Sequence, residues 1–258
     1  MDDTIYKGST LFDFTRPFLA ALTDMGIGYT FLTNNPSKSV KDYLKKLATL
    51  GIEAREDQLY TSAQATIELL QEKYPQARRI FALGTKSMLE EFVKHGFQLC
   101  TDDPKDVPDA LIVGFDMELT YARLCRAAWW IQQGKPYIAT NPDRVCPTDE
   151  PNILVDCGSI CACLTTATGR QPDAVMGKPD PAMLRGILAR HALKPSQLAM
   201  VGDRLYTDVA MAQRAGALGV LVLTGEATAD DAQKFSPPPD LVMPSIKEFA
   251  QELRKAKS

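Results

Sequence analysis

Short apolar runs alternate with segments whose apolar residues recur every three or four positions, almost throughout the chain. That rhythm is the mark of parallel strands joined by helical crossovers. Tyr29-Thr-Phe-Leu-Thr33 reads as a buried strand ending in the polar turn Asn34-Asn35-Pro36. Ser39 and Asp42 form a capping-box variant ahead of Val40, Tyr43, Leu44, Leu47 and Leu50, and Gly51 stops that helix. A second helix is predicted over 62–74. Beyond residue 78 the spacing predicts strands at 80–83, 110–113 and 137–139, and helices at 87–95, 120–133 and from Ser159 to near Gly169. The closing third predicts strands at 173–176, 198–201, 219–223 and 240–243, helices at 181–191 and 208–215, and a surface loop at 235–239.

The pattern therefore predicts an α/β fold of doubly wound, parallel-sheet type. Residues 1–77 and 173–258 would form one core domain, and 78–172 a second, smaller α/β unit inserted into it. No internal repeat or low-complexity tract interrupts this organisation.

Composition narrows the function classes. The 258 residues are 45% hydrophobic and 24% charged, ordinary values for a globular protein with a sizeable core. A net charge of −3 gives no global positive field for nucleic acid or anionic lipid. No run approaches the roughly 18 apolar residues that span a bilayer. The start, Met1-Asp2-Asp3-Thr4, lacks the basic region of a signal peptide, so a cytoplasmic protein is expected.

Six cysteines occur, and Cys157, Cys161 and Cys163 cluster, which invites a zinc reading. Zinc sites add a second Cys pair or histidines, and the two histidines, His95 and His191, lie in helix-like segments far from the cluster. Buried, reduced thiols are the expectation instead. The same two histidines make a Ser-His or Cys-His hydrolase a poor fit. Trp129, Trp130 and Met176 are expected in the core, and Cys157 and Ser159 at a buried helix start.

In open parallel sheets, ligands gather beyond the carboxyl ends of the strands. Four predicted strand ends carry reactive groups: Thr33-Asn34, Asn141, Lys178 and Gly202-Asp203; Asp2-Asp3-Thr4 adds a fifth. Carboxylates, a lysine, a hydroxyl and tight turns with free amides suit a hard cation together with a phosphate. Each group alone has a plainer reading: Asp2 and Asp3 as a solvated terminus, 33–36 as a turn, Lys178 as a loop lysine, Asp203 as turn chemistry and Asp208 as a helix N-cap. Their joint order is what points to a site.

Met1-Asp2-Asp3-Thr4-Ile5-Tyr6-Lys7-Gly8, Leu32-Thr33-Asn34-Asn35, Gly177-Lys178-Pro179 and Gly202-Asp203 through Asp208, in that order, resemble phosphatases of the haloacid dehalogenase superfamily. Ala139-Thr-Asn-Pro-Asp-Arg144 and Leu223-Thr-Gly225 are similar to its C2-capped class IIA branch, with its nitrophenylphosphatase-like, phosphoglycolate, pyridoxal phosphate and sugar phosphatases. The resemblance covers nearly the whole chain. It implies a Rossmann-like core with an inserted C2-type cap, Mg²⁺ as cofactor, a small phosphorylated metabolite as substrate, and room for a homodimer formed through the cap.

Residue by residue, the resemblance implies that Asp2 is the general acid/base, with its carbonyl on Mg²⁺. Thr33 and the Asn34 amide would hold the phosphoryl group, and Lys178 would neutralise it. Asp203 would ligate Mg²⁺ and Asp208 support the metal shell, while Asn141, Asp143 and Arg204 would line the substrate pocket near the cap. The family pattern is Asp-x-Asp-x-Thr, whose first aspartate attacks phosphorus. In this register that aspartate falls immediately before Met1, and so does the central strand that carries it. Three readings follow: an upstream segment supplies both, the chain is a remnant that binds phosphate and metal without turnover, or the register slips so that Asp2 is the nucleophile and Thr4 the acid/base. A phosphotransferase or phosphonate-cleaving relative is a weaker alternative, against which the cap-like region argues.

Overall fold

The computed structural model describes residues 1–146 and 151–257. The chain divides into two compact units, 1–32 with 44–59 and 178–258, and 33–43 with 60–177. In both, apolar strands are laid in parallel register with helical connections between them.

The second unit is built on five parallel strands in the order Ala174–Val175, Tyr137–Ala139, Ala110–Val113, Arg79–Leu83 and Gln98–Leu99. Ile80 pairs with Ala110 and Leu83 with Val113, while Val113 also pairs with Ala139. Ala110–Val113 and Tyr137–Ala139 are wholly buried, which is why they read as unbroken apolar runs in the sequence. Phe81, Leu111, Trp130, Tyr137, Ile160 and Leu164 pack into one core. The helices begin where the caps predict. The Thr120 hydroxyl accepts the Arg123 amide at the head of Tyr121–Gln132, and Thr61 and Gln64 exchange side-chain bonds at the head of Ser62–Lys73.

The first unit holds three parallel strands, Ala199–Gly202, Leu218–Val222 and Leu241–Met243, in that order. Leu205, Val209, Leu221, Ala227 and Ala232 form a core cluster in this unit. Phe18 and Phe249 bring together helices Thr15–Asp24 and Ile246–Lys257, with ring centroids 6.4 Å apart. Phe31–Thr33 pairs with Leu59–Thr61 in a separate two-stranded sheet.

Several expectations change. The helix expected from Asp208 is a wide π-type turn, Leu205–Val209, followed by a short helix Ala210–Ala215, so Asp208 lies inside the turn and is not an N-cap. The helix expected from Ser159 starts at Cys157, because Asp156 caps it. The strand expected from Tyr29 is regular only over Phe31–Thr33. Trp130 is core, but Trp129 is 47% exposed, since consecutive helical positions face different ways. All six thiols are free, yet Cys125 and Cys163 are exposed and only Cys100, Cys157 and Cys161 are buried.

Candidate active site

Five of the expected residues lie in the first unit, Asp2, Lys178, Asp203, Arg204 and Asp208, and the last four stand at one strand end while the Asp2 side chain faces Lys46. The strand Ala199–Gly202 ends in Gly202 and delivers Asp203 at its carboxyl end. The π-type turn that follows folds Asp208 back against the strand. A Cβ at Gly202 would stand 2.3 Å from Asp208 Cγ, so only glycine admits that approach. Asp208 Oδ1 accepts Lys178 Nζ at 2.8 Å, and Oδ2 accepts the Arg204 amide at 3.3 Å. Asp203 is 5% exposed, and its Oδ2 accepts the Glu226 amide at 3.1 Å. Burial, and after it the neighbouring Asp208, push the Asp203 carboxyl above the usual carboxylate range, against the opposing pull of the Glu226 amide and Arg204. Arg204 itself pairs with Glu226, Nε to Oε2 at 3.0 Å.

The first residues of the chain meet this cluster. Gly225 is held between Asp203 and Asp3: a Cβ there would lie 2.2 Å from Asp203 Oδ2 and 2.6 Å from Asp3 Cβ. The Thr224 hydroxyl donates to the Asp3 carbonyl. The Asp2 side chain is 64% exposed, 3.9 Å from Lys46 Nζ, and it accepts the Tyr6 hydroxyl at 3.4 Å.

The second unit holds the other four: Thr33, Asn34, Asn141 and Asp143. Thr33 is buried at a strand end, and its hydroxyl accepts the Asn35 amide at 3.3 Å. Asn34 donates its side-chain amide to Asp143 Oδ2 at 3.2 Å, and its carbonyl accepts the Ser62 hydroxyl at 2.6 Å. Asn141 is 0% exposed and also donates to Asp143 Oδ2, at 3.2 Å. The structure thus ties three of these residues into one hydrogen-bonded group.

The first unit's donors fit a divalent cation. Two buried carboxylates, Asp203 and Asp208, stand beside one lysine, an excess of negative charge that a cation relieves. Among the described residues no three His, Cys, Asp or Glu side chains converge into a closed cage. Mg²⁺ does not require one, because it keeps several waters and typically takes one or two carboxylates plus substrate phosphate oxygens.

Sequence reasoning missed Glu226, Asp156 and Asp116. Asp156 carries a readable signal, an aspartate directly before a helix. Asp116 is buried, with Oδ2 lacking any hydrogen-bond partner, and nothing in its local sequence announces that. Among the described residues no helix is long and apolar enough to cross a membrane.

Comparison with known proteins gives a consistent set of relatives. Residues 1–98 match the family model of haloacid dehalogenase-like hydrolases, and residues 175–249 match a HAD-hydrolase-like model. An acid sugar phosphatase of Staphylococcus saprophyticus is 32% identical over 255 residues, 99% of this chain and 96% of that protein. A 4-nitrophenylphosphatase from Thermotoga maritima superposes with a TM-score of 0.90 at 37% identity, over 97% of this chain and 94% of its own. A glycerol phosphate phosphatase from Mycobacterium tuberculosis, solved in complex with magnesium, gives 0.86 at 31% identity, over 96% of this chain and 73% of its own.

Proposed function

The chain belongs to the haloacid dehalogenase-like hydrolase family, in its class IIA phosphatase branch, and from that premise we propose that it hydrolyses small phosphomonoesters with Mg²⁺. The observation that carries the proposal is the Lys178–Asp208 pair, part-buried through Lys178 and buried at Asp208, beside Asp203 at a strand's carboxyl end. Asp203 and the Asp2 carbonyl would hold the metal, with Asp208 orienting the lysine next to it. Bound there, Mg²⁺ supplies charge stabilisation for the transferring phosphoryl group.

Lys178 would neutralise the phosphoryl oxygens, and the buried setting strengthens that interaction by excluding water. Thr33 and the Asn34 backbone amide would hold the same group through directed hydrogen bonds. In the proposed route the phosphoryl passes in line to the aspartate that the family pattern requires two positions before Asp2. Asp2 protonates the leaving oxygen and then takes a proton from the attacking water. Asp143 and Arg204 would belong to the substrate side of the site, whereas Asn141, expected there too, is wholly buried with its side chain fully hydrogen-bonded and would act from behind them. Residues 78–172 would act as the cap that selects the leaving group, and 1–77 with 173–258 as the core. Six free thiols fit a reducing compartment such as the cytoplasm.

The relatives are named for sugar phosphates, nitrophenyl phosphate and glycerol phosphate, which supports small phosphomonoesters as the substrate class here. The test is a panel of such esters with Mg²⁺, run on the 258-residue chain and on one extended upstream to include the pattern's aspartate. Turnover lost in Lys178→Ala supports the proposal. Phosphate binding without turnover in both chains favours the rival, a non-hydrolysing phosphate- and metal-binding protein.

A further inference from the structure

Behind the Asn34 loop lies a carboxylate that no step above uses. Asp156 is 4% exposed and caps the helix Cys157–Thr168 by accepting the Cys157 amide. The same carboxylate oxygen accepts the Asn141 side-chain amide at 3.2 Å. That amide gives a second bond, also 3.2 Å, to Asp143 Oδ2, and Asn141 Oδ1 accepts the Thr140 hydroxyl at 3.0 Å. Every polar group of the Asn141 side chain is therefore engaged, in a residue with no exposed surface. Its orientation is dictated by chemistry, because two carboxylates can only accept and a flipped amide would face them with its own oxygen.

The series does not stop at Asp143. Its Oδ2 also accepts the Asn34 side chain at 3.2 Å, while Ser62 holds the Asn34 carbonyl from the other side at 2.6 Å. Capping alone does not call for a carboxylate at 156, since serine, threonine or asparagine cap a helix comparably. A carboxylate here is unfavourable: burial, with Asp143 adding to it, raises the Asp156 carboxyl above its ordinary range. Its bond to the Asn141 amide gives it a second role that capping does not require.

We propose that Asp156 is a positioning residue that fixes the Asn141 amide, which orients Asp143, which in turn holds Asn34 and the loop carrying Thr33. The inference rests on the reading of Thr33 and Asn34 as the phosphoryl-holding loop and adds the device that keeps that loop in place. It also gives Asn141 the role of a strut between two carboxylates.

Asp156→Ser separates capping from positioning, because serine still caps the helix but is too short to reach Asn141. Asp156→Asn keeps an oxygen for both bonds. Three readouts apply: deuterium exchange of the 33–37 amides, inhibition by inorganic phosphate, and turnover of p-nitrophenyl phosphate. In Asp156→Ser the expected result is faster exchange at 33–37, with phosphate inhibition and kcat each weakened about tenfold, below the ~10²-fold that a misplacement of about 1 Å can cost. Asp156→Asn should stay near the parent. Equal exchange and equal phosphate inhibition in the two variants overturn the inference.

Should Asp156→Ser fail to fold, Asn141→Ala breaks the same relay without touching the cap, and parent-like exchange at 33–37 there is equally fatal to it. The exchange readout needs no turnover. Lys178→Ala, run alongside, separates the two claims: parent-like turnover there sinks the phosphatase reading, whereas loss there with parent-like Asp156→Ser sinks only the positioning role.

Discussion

Lys178 Nζ donates to Asp208 Oδ1 across 2.8 Å, with the two side chains 12% and 3% exposed. The pair joins residues thirty positions apart: Lys178 reaches Asp208 inside the wide turn that follows Asp203. Its near-exclusion from water makes it sensitive to the loss of either partner.

Removing the lysine should therefore cost twice. Lys178→Ala is expected to lower kcat by about 10²–10³, the scale for deleting a group that stabilises transition-state charge. It should also destabilise the fold by about 3 kcal/mol, because it leaves the buried Asp208 charge uncompensated. A Lys178→Met/Asp208→Asn double variant should recover part of the stability and none of the turnover. Urea unfolding and steady-state kinetics on the same samples measure both, and equal stability of the single and double variants would contradict the argument.

Asp203→Asn should separate metal use from folding. Asparagine can still accept the Glu226 amide but carries no charge, so the Mg²⁺ concentration for half-maximal turnover should rise by about tenfold or more. The same change removes the strain of burying a carboxylate beside Asp208, so Tm should rise. A Mg²⁺ titration of turnover together with a thermal melt reports the two effects; an unmoved Mg²⁺ midpoint removes Asp203 from the metal site.

Gly202→Ala tests the close approach of strand and turn. Its new methyl would stand 2.3 Å from Asp208 Cγ and 2.6 Å from Oδ2, inside a packed region where neither can simply swing away. Overpacking of this kind costs about 1–3 kcal/mol and should displace Asp208 from Lys178, lowering kcat as well. Parent-like stability and turnover would mean that the turn tolerates the displacement.

Asp116 predicts a pH dependence of stability. Burial raises its carboxyl above the ordinary value of 3.8, opposed by the Glu118 amide and Arg123. The folded state therefore holds the proton more tightly than the unfolded one. The stability from this group is complete below the unfolded pKa and is lost as pH rises through the folded pKa. Asp116→Asn keeps the acceptor for the Glu118 amide, 3.0 Å away in the parent, and removes the charge. It should raise Tm at pH 7 relative to the parent and leave the two alike near pH 3. Thermal melts across that range decide; a lower Tm for the variant at pH 7 would show that the ionised carboxylate has a partner worth more than its burial costs.

Much of the architecture was legible because neighbouring residues encode it. Ala110–Val113 and Tyr137–Ala139 coincide with their predicted bounds, since fully buried parallel strands are unbroken apolar runs between turn residues. Ser39 with Asp42 and Thr120 before its helix acted as local start signals. Other signals were present and went unread: the Ser245 hydroxyl donates to the Glu248 carboxylate at the head of Ile246–Lys257, at the spacing of a capping box. Thr15–Asp24 begins without any side-chain cap, so its start was hidden.

The sequence by itself determined the α/β alternation, most of the helix starts and the order in which reactive residues arrive at strand ends, because periodicity and capping act over a few positions. Only the tertiary structure decided what those residues touch. It joined Lys178 to Asp208, folded Asp208 inside a π-type turn and joined Asn34 to Asp143 across 109 positions of chain. It also engaged every polar group of Asn141 around a carboxylate that local pattern marks as no more than a cap. Hydrogen bonds and buried charges depend on distances of a few ångströms, and those are set by how whole elements pack, which no window of neighbouring residues contains.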